Sequence, residues 1–182
     1  MPFGPVVIVT GAPGAGKSSV AKRLAQASPS EQAVHLHADD FYAYIVKGFI
    51  EPWRREAHAQ NTVVVDAVLE CARRYARGGL EVVVDGIFGP WFLEPWLALA
   101  AQGVDVHYVV LRPDEATTLA RGTARSAPGA MIDRQVISQM WQQFSALGPF
   151  EAHALDTTAW TPDETIVQVR SAVSQGSLLL AR

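Results

Sequence analysis

The chain has 182 residues, with 15 Lys and Arg against 18 Asp and Glu, for a formal charge of −3. Hydrophobic residues make up 49% and charged ones 18%, and the mean hydropathy is +0.10; these values exclude a disordered chain and fit one compact domain over residues 1–182. No uncharged apolar run approaches the roughly 18–20 residues that span a bilayer, so no membrane partner is expected, and a pI of about 5.9 gives no global attraction to nucleic acid.

In chain order, Val6-Val7-Ile8-Val9-Thr10 is almost entirely β-branched and lacks polar alternation, as in a strand buried on both faces of a parallel sheet. A helix is predicted over 17–27. A second strand follows at 33–38, then a long helix over 55–77 that Gly78 and Gly79 stop. The third strand is 80–85. A helix over 90–102 ends at Gly103, and the fourth strand is 104–111. Next come a helix over 113–125, a Ser126-Ala127-Pro128-Gly129 break and a helix over 132–147. The fifth strand is short, 152–156. The last helix starts near Pro162, with Thr161 as its N-cap. Strands alternating with helices specify an α/β fold of three layers, a five-stranded, mostly parallel sheet with helices on both faces. In such a sheet the strand C-termini share one edge, where ligands bind. The loop at Gly11, Asp39 and Asp40, Asp85, Arg112 and Thr157 each follow a strand and are expected on one crevice.

Gly11-Ala12-Pro13-Gly14-Ala15-Gly16-Lys17-Ser18 fits the G-x-x-x-x-G-K-[ST] phosphate-loop pattern, with Ser19 next. A buried strand precedes it and a helical pattern follows, as the mechanism requires. Backbone N–H groups must close on phosphate oxygens, and glycines permit that approach. The helix adds its positive N-terminal end. Lys17 is expected on the β- and γ-phosphates and the Ser18 hydroxyl on Mg2+. The sequence has no N-K-x-D guanine motif, which favours ATP.

Asp85 closes a run of valines and precedes Gly86, the layout of a carboxylate that holds Mg2+ directly or through water. The plainer alternative is an Asp-Gly turn. Asp39 and Asp40 follow the second strand. Phosphoryl transfer to a hydroxyl needs a carboxylate to orient it and accept its proton. Asp39 is the first candidate and Asp40 the alternative, with helix capping as the plainer role for both. Arg121 and Arg125 stand one helical turn apart in the predicted helix, on one face. With Arg134 beyond the break, they read as a short helical lid over about 121–134, with donors for the charge that spreads during transfer. A solvated basic helix face is the plainer alternative. Arg112 is a further candidate on the nucleotide side.

Phe41, Tyr42, Tyr44, Phe49 and Trp53 cluster after Asp40, and Phe88, Trp91, Phe92 and Trp96 after Asp85. Should the two groups meet, they wall a cavity beside the γ-phosphate suited to a flat or partly apolar acceptor, with Arg54 and Arg55 near for an anionic group. His35 and His37 stand at i, i+2. With no Cys or third ligand near in sequence, they read as packed or site-edge histidines rather than a metal site. The single Cys71 fits a reducing cytoplasm, and Met1-Pro2-Phe3-Gly4 lacks a basic n-region, so no secretory signal is expected.

On GAPGAGKSS at Gly11, HLHADDFY at His35, VVVDGIF at Val82, LRPDEATTLARGTAR at Leu111 and ALDTTAWTPDE at Ala154, the chain resembles the small P-loop kinases. The resemblance is above all to the chloramphenicol phosphotransferase-like group, with gluconate and shikimate kinases and polynucleotide 5′-kinase as more distant relatives. The chain is also similar to uncharacterised bacterial P-loop proteins with an H-x-H-x-D-D-type segment. The resemblance implies a P-loop NTPase fold with strand order 2-3-1-4-5. It also implies Asp39 as base, lid arginines at Arg121 and Arg125, and Thr157 beside the adenine. The expected function is transfer of the γ-phosphoryl group of ATP, with Mg2+, to a hydroxyl of a small-molecule acceptor. Two alternatives stay open. One is a 5′-kinase for nucleosides, nucleotides or polynucleotide ends. The acidic pI weighs against a nucleic-acid acceptor, as does Phe41-Tyr42-Ala43 where such polynucleotide kinases carry an arginine. The other is a nucleotide-controlled switch, which would need neither the Asp pair nor the lid.

Overall fold

In the computed structural model, which describes residues 2–126 and 130–180, five strands form one parallel sheet. They are β1 (Val6–Thr10), β2 (Ala33–His37), β3 (Glu81–Asp85), β4 (Val106–Leu111) and β5 (Ala154–Leu155). Their order is β2-β3-β1-β4-β5, and every neighbouring pair is parallel. β1, β3 and β4 are buried throughout, which is why their sequences lack polar alternation. β2, at one edge, is half-buried along its length.

Seven α-helices surround the sheet among the described residues: α1 (Lys17–Gln26), α2 (Ala38–Ala43), α3 (His58–Arg77), α4 (Glu94–Ala101), α5 (Glu115–Thr123), α6 (Arg134–Gln143) and α7 (Pro162–Ser174). Val6, Ile8, Val82, Val84, Val106 and Tyr108 face one core with Val68 and Ala72 of α3 and Trp96 and Leu99 of α4. Val7, Val9, Val83 and Val109 face the other, with Val20 and Leu24 of α1 and Val169 of α7. The sheet is thus covered on both sides. No helix among the described residues is long and apolar enough to cross a membrane.

Several elements are shorter than the sequence predicts, each for a local reason. Ala38 leaves the second strand and opens α2. A 3-10 turn, Arg55–Ala57, precedes α3, and another, Pro90–Phe92, precedes α4. α5 begins after Asp114, whose carboxylate accepts from the Thr117 N–H, and ends at Thr123. Arg125 therefore lies beyond the helix, and Arg121 and Arg125 do not share a helical face. α6 begins after Asp133, which caps Gln135 and Val136. Residues 127–129 of the predicted break lie outside the described residues. Thr161 caps α7 as expected, in a capping box with Glu164.

The end of the sheet away from the strand C-termini is tied by a buried charge. Glu81 is 1% exposed, accepts from Arg170 Nη1 at 2.7 Å and also accepts from the Ser28 hydroxyl. Arg170 Nη2 donates to the Leu24 carbonyl at 2.5 Å, so one side chain links α7, α1 and β3. Removing the cation strands a buried carboxylate. Arg170→Ala is expected to lower stability by about 3–5 kcal/mol in urea unfolding, more than a surface arginine would.

Candidate functional site

The loop between β1 and α1 is set by glycine geometry. Gly14 and Gly16 hold φ of 93° and 92°. A Cβ on Gly14 would lie 2.3 Å from the Thr118 carbonyl oxygen and 2.8 Å from the Gly122 nitrogen, so the loop presses on the backbone of α5. Gly122 in turn has no room for a Cβ, which would come within 2.8 Å of Ile137 Cδ1 of α6. Gly16 is the N-cap of α1 and supplies no side-chain cap, and the first turn holds no acidic residue. The free N–H groups and positive helix end are thus left for an anion. Lys17 Nζ bends back to donate to the Ala12 carbonyl at 3.1 Å. Burial in the loop pulls its ammonium down to about 8, against the opposing charges of Asp39 and Asp85.

Asp85, at the end of β3, is fully buried and accepts from three side chains. The Ser18 hydroxyl donates to Oδ2 at 2.6 Å. His35 Nε2 lies 2.5 Å from Oδ1, and His37 Nδ1 lies 3.1 Å from both oxygens. Burial alone would raise the carboxyl, yet the hydrogen bonds from His35, His37 and Ser18 hold it well below the usual carboxylate range. The bond to Asp85 likewise raises His37, against its own burial and with help from the Asp85, Asp39 and Asp40 charges. The other ring nitrogen of His37, Nε2, faces Asp39 Oδ2 across 3.7 Å.

Asp39 and Asp40 occupy the first turn of α2, but the N-cap there is His37 and no side chain caps it. The capping role considered for the pair is therefore not what they do. Asp39 is exposed and lines the same cavity as Lys17, Ser18 and Asp85, whereas Asp40 is not on its wall. That cavity has a volume of about 1420 Å³. Both aromatic clusters reach it: Tyr42, Phe49 and Trp53 from one segment, Phe88, Trp91 and Phe92 from the other. Arg54, Arg55 and Arg125 also line it, with Arg54 paired to Glu51 at 3.0 Å. Trp96 is instead wholly in the core, and Tyr44 points to solvent at 73% exposure. Met131, Met140, Gln139 and Gln143, on and just before α6, complete the wall and carried no signal in the sequence.

A smaller cavity of about 420 Å³ opens on the other side of the loop, lined by Ala15, Gly16, Ser19, Arg121, Thr157 and Trp160. Thr157 is 2% exposed, and its hydroxyl has no hydrogen-bond partner among the described residues. Arg121 Nη2 donates to the Thr158 carbonyl at 3.4 Å. Arg121 and Arg125 thus serve different cavities. Arg112 lines neither. Its guanidinium is held by Glu151 at 2.5 Å and by the Phe144 and Ser145 carbonyls. Arg134 opens α6 and also lines neither cavity.

The raised His37 contributes stability that is fully present below its ordinary value, about 6.5, and is lost as pH rises through the folded value. The stability advantage of the native chain over His37→Gln, measured by urea unfolding in chelator, should be greatest below about pH 6.5 and shrink as pH rises above it.

Comparisons with known proteins agree with this architecture. The model of the AAA domain family matches residues 6–147. No curated protein matches the chain. Among solved structures, a tunicamycin resistance protein of Deinococcus radiodurans superposes with a TM-score of 0.68 at 16% identity, covering 98% of this chain and 99% of that one. A gluconokinase from Sinorhizobium meliloti 1021 gives 0.68 at 18% identity, covering 96% and 94%. A chain of the Pnkp1/Rnl/Hen1 RNA repair complex gives 0.62 at 18% identity over 79% of this chain, which spans 44% of that one. These likenesses bear on fold. Together with the family match and the sheet order, they make the chain a member of the AAA domain family with a small P-loop kinase-like fold.

Proposed function

We propose that the chain is a phosphotransferase that moves the γ-phosphoryl group of ATP to a hydroxyl of a small, partly apolar molecule. The observation that carries this reading is that Lys17, Ser18, Asp85 and Asp39 line one cavity with six aromatic side chains on its wall, Tyr42, Phe49, Trp53, Phe88, Trp91 and Phe92. A switch has no use for such a wall. The gluconokinase and the tunicamycin resistance protein share the fold, which agrees with a small acceptor.

The residues present fit a nucleotide and a divalent cation. The uncapped N-terminus of α1 and Lys17 match phosphate oxygens. The unpartnered Thr157 hydroxyl and Arg121, in the smaller cavity, match a base and its flanking groups. Ser18 and Asp85 offer the oxygen donors that Mg2+ prefers. When bound, Mg2+ would neutralise charge on the phosphate oxygens.

On this reading Asp39 orients the acceptor hydroxyl and takes its proton. Its exposure and its place on the cavity wall suit a base that must meet solvent-borne molecules. Lys17 and Arg125 stabilise charge on the moving group. The aromatic side chains exclude water and hold the acceptor's apolar part, while Arg54 and Arg55 receive an anionic substituent. Residues 1–182 act as one domain, with 121–134 as the segment that delivers the arginines. The single thiol, Cys71, suits a cytoplasmic setting. The RNA repair chain favours a second reading, a 5′-kinase. Transfer of labelled phosphate to a 5′-hydroxyl oligonucleotide would support it over a small acceptor.

The first experiment is a screen of hydroxyl compounds, nucleosides and antibiotics for stimulated ADP release. With an acceptor in hand, Asp39→Asn is expected to keep nucleotide affinity while turnover falls roughly 10²–10⁴-fold, and full transfer by that variant would remove Asp39 as base. Lys17→Ala should lose nucleotide affinity, turnover or both, read by fluorescent-nucleotide binding and steady-state kinetics.

A further inference from the structure

The histidine pair on β2 gains, from the neighbouring strand, the third ligand that the local sequence lacks. We propose that His35 Nε2, His37 Nδ1 and Asp85 Oδ1 form a site for a divalent transition metal ion of the Zn2+ or Co2+ type, adjoining the position expected for Mg2+ at Ser18 and sharing the Asp85 carboxylate with it.

The site follows from register. β2 and β3 run parallel with His37 beside Asp85 and His35 beside Val83. Side chains alternate along a strand, so residues two apart share a face. Both imidazoles are thereby turned toward the same carboxylate, with ring centroids 6.2 Å apart. One ligand atom from each of the three residues falls within 4.8 Å of the others. Two imidazoles and one carboxylate, with further positions open, make a donor set that Zn2+, Co2+ or Fe2+ accepts and that Mg2+ does not select.

The two carboxylate oxygens differ in their nearest partners, with His37 Nδ1 equidistant from both. Oδ2 is held by the Ser18 hydroxyl at 2.6 Å, toward the phosphate loop. Oδ1 is nearest His35, at 2.5 Å. A cation on the histidine side therefore need not displace the one expected at Ser18. Two further features suit a metal. A ligating imidazole commonly presents its far nitrogen to a carboxylate, and His37 Nε2 faces Asp39 Oδ2 across 3.7 Å. His37 and Asp85 also line the large cavity, which gives the ion an entry path. The competing role is purely structural: the two rings donate N–H groups to Asp85 and hold it toward Ser18.

The test uses the full chain, stripped with chelator and free of nucleotide. Zn2+ alone is titrated by calorimetry, and Co2+ alone is followed by its visible absorption. The proposal expects one ion per chain and the intense Co2+ bands of a low-symmetry nitrogen–oxygen site. His35→Ala and His37→Ala should each weaken binding by roughly 10- to 100-fold or more. His58→Ala, a histidine on the same cavity wall, should leave it unchanged. Should a β2 variant fail to fold by circular dichroism, X-ray absorption of the Zn2+-loaded native chain decides, and imidazole scattering from two rings supports the site. Absence of stoichiometric binding, an all-oxygen shell, or equal affinity in the folded His35→Ala variant would overturn it. None of these measurements needs nucleotide or acceptor, so a negative result is separable from failure of the phosphotransferase reading.

Discussion

A carboxylate with no solvent contact must be satisfied by the protein or it will not stay charged. Asp85 meets that demand with donors from two other elements: Ser18 at the start of α1, and His35 and His37 on β2. The phosphate loop, the edge strand and the inner strand are thereby pinned at one point. Everything proposed for the site depends on that junction, because it fixes where the Ser18 hydroxyl stands and where β2 releases its chain into α2. Asp39 is two residues past His37, so the arrangement that satisfies Asp85 also delivers the exposed carboxylate to the cavity.

On the proposed reading the two cavities divide the chemistry. The smaller one, beside Gly16 and Thr157, is narrow and polar at its unpartnered hydroxyl. The larger one is broad; its aromatic residues come from the two segments that follow β2 and β3, and α6 adds Val136, Met140 and two glutamines. Residues expected to bind phosphate come from the loop between the central strand β1 and α1. Residues that would select an acceptor come from connecting segments and a peripheral helix, where sequence can vary without touching the core.

Much of the fold is legible in the sequence because β1 is an unbroken β-branched run and β3 carries three successive valines, and such runs are buried on both faces. The phosphate loop is legible for a different reason: its glycines and its Lys-Ser pair have no common alternative use. The length of β5 is not legible. Only Ala154 and Leu155 pair with β4, and hydrophobicity does not mark where pairing stops. The fate of Arg125 is likewise hidden. A helical pattern continues past Thr123 on paper, but the helix ends there and Arg125 turns to the large cavity while Arg121 serves the small one. The partnership of His35 with Asp85 joins residues 50 apart in sequence. It depends on strand register, which the i, i+2 spacing of the histidines does not supply.

The contact of Gly14 with Gly122, and of Gly122 with Ile137, has a mechanical meaning. Gly14 rests on the backbone of α5, and Gly122 rests on the Ile137 side chain of α6; close-packed interiors transmit strain. On the proposed reading, a guest that pushed α6 outward would bear on the phosphate loop through these two glycines. Occupancy of the one compartment would then be felt as stiffness in the other, and by thermodynamic reciprocity a bound nucleotide would tune how readily the guest is admitted.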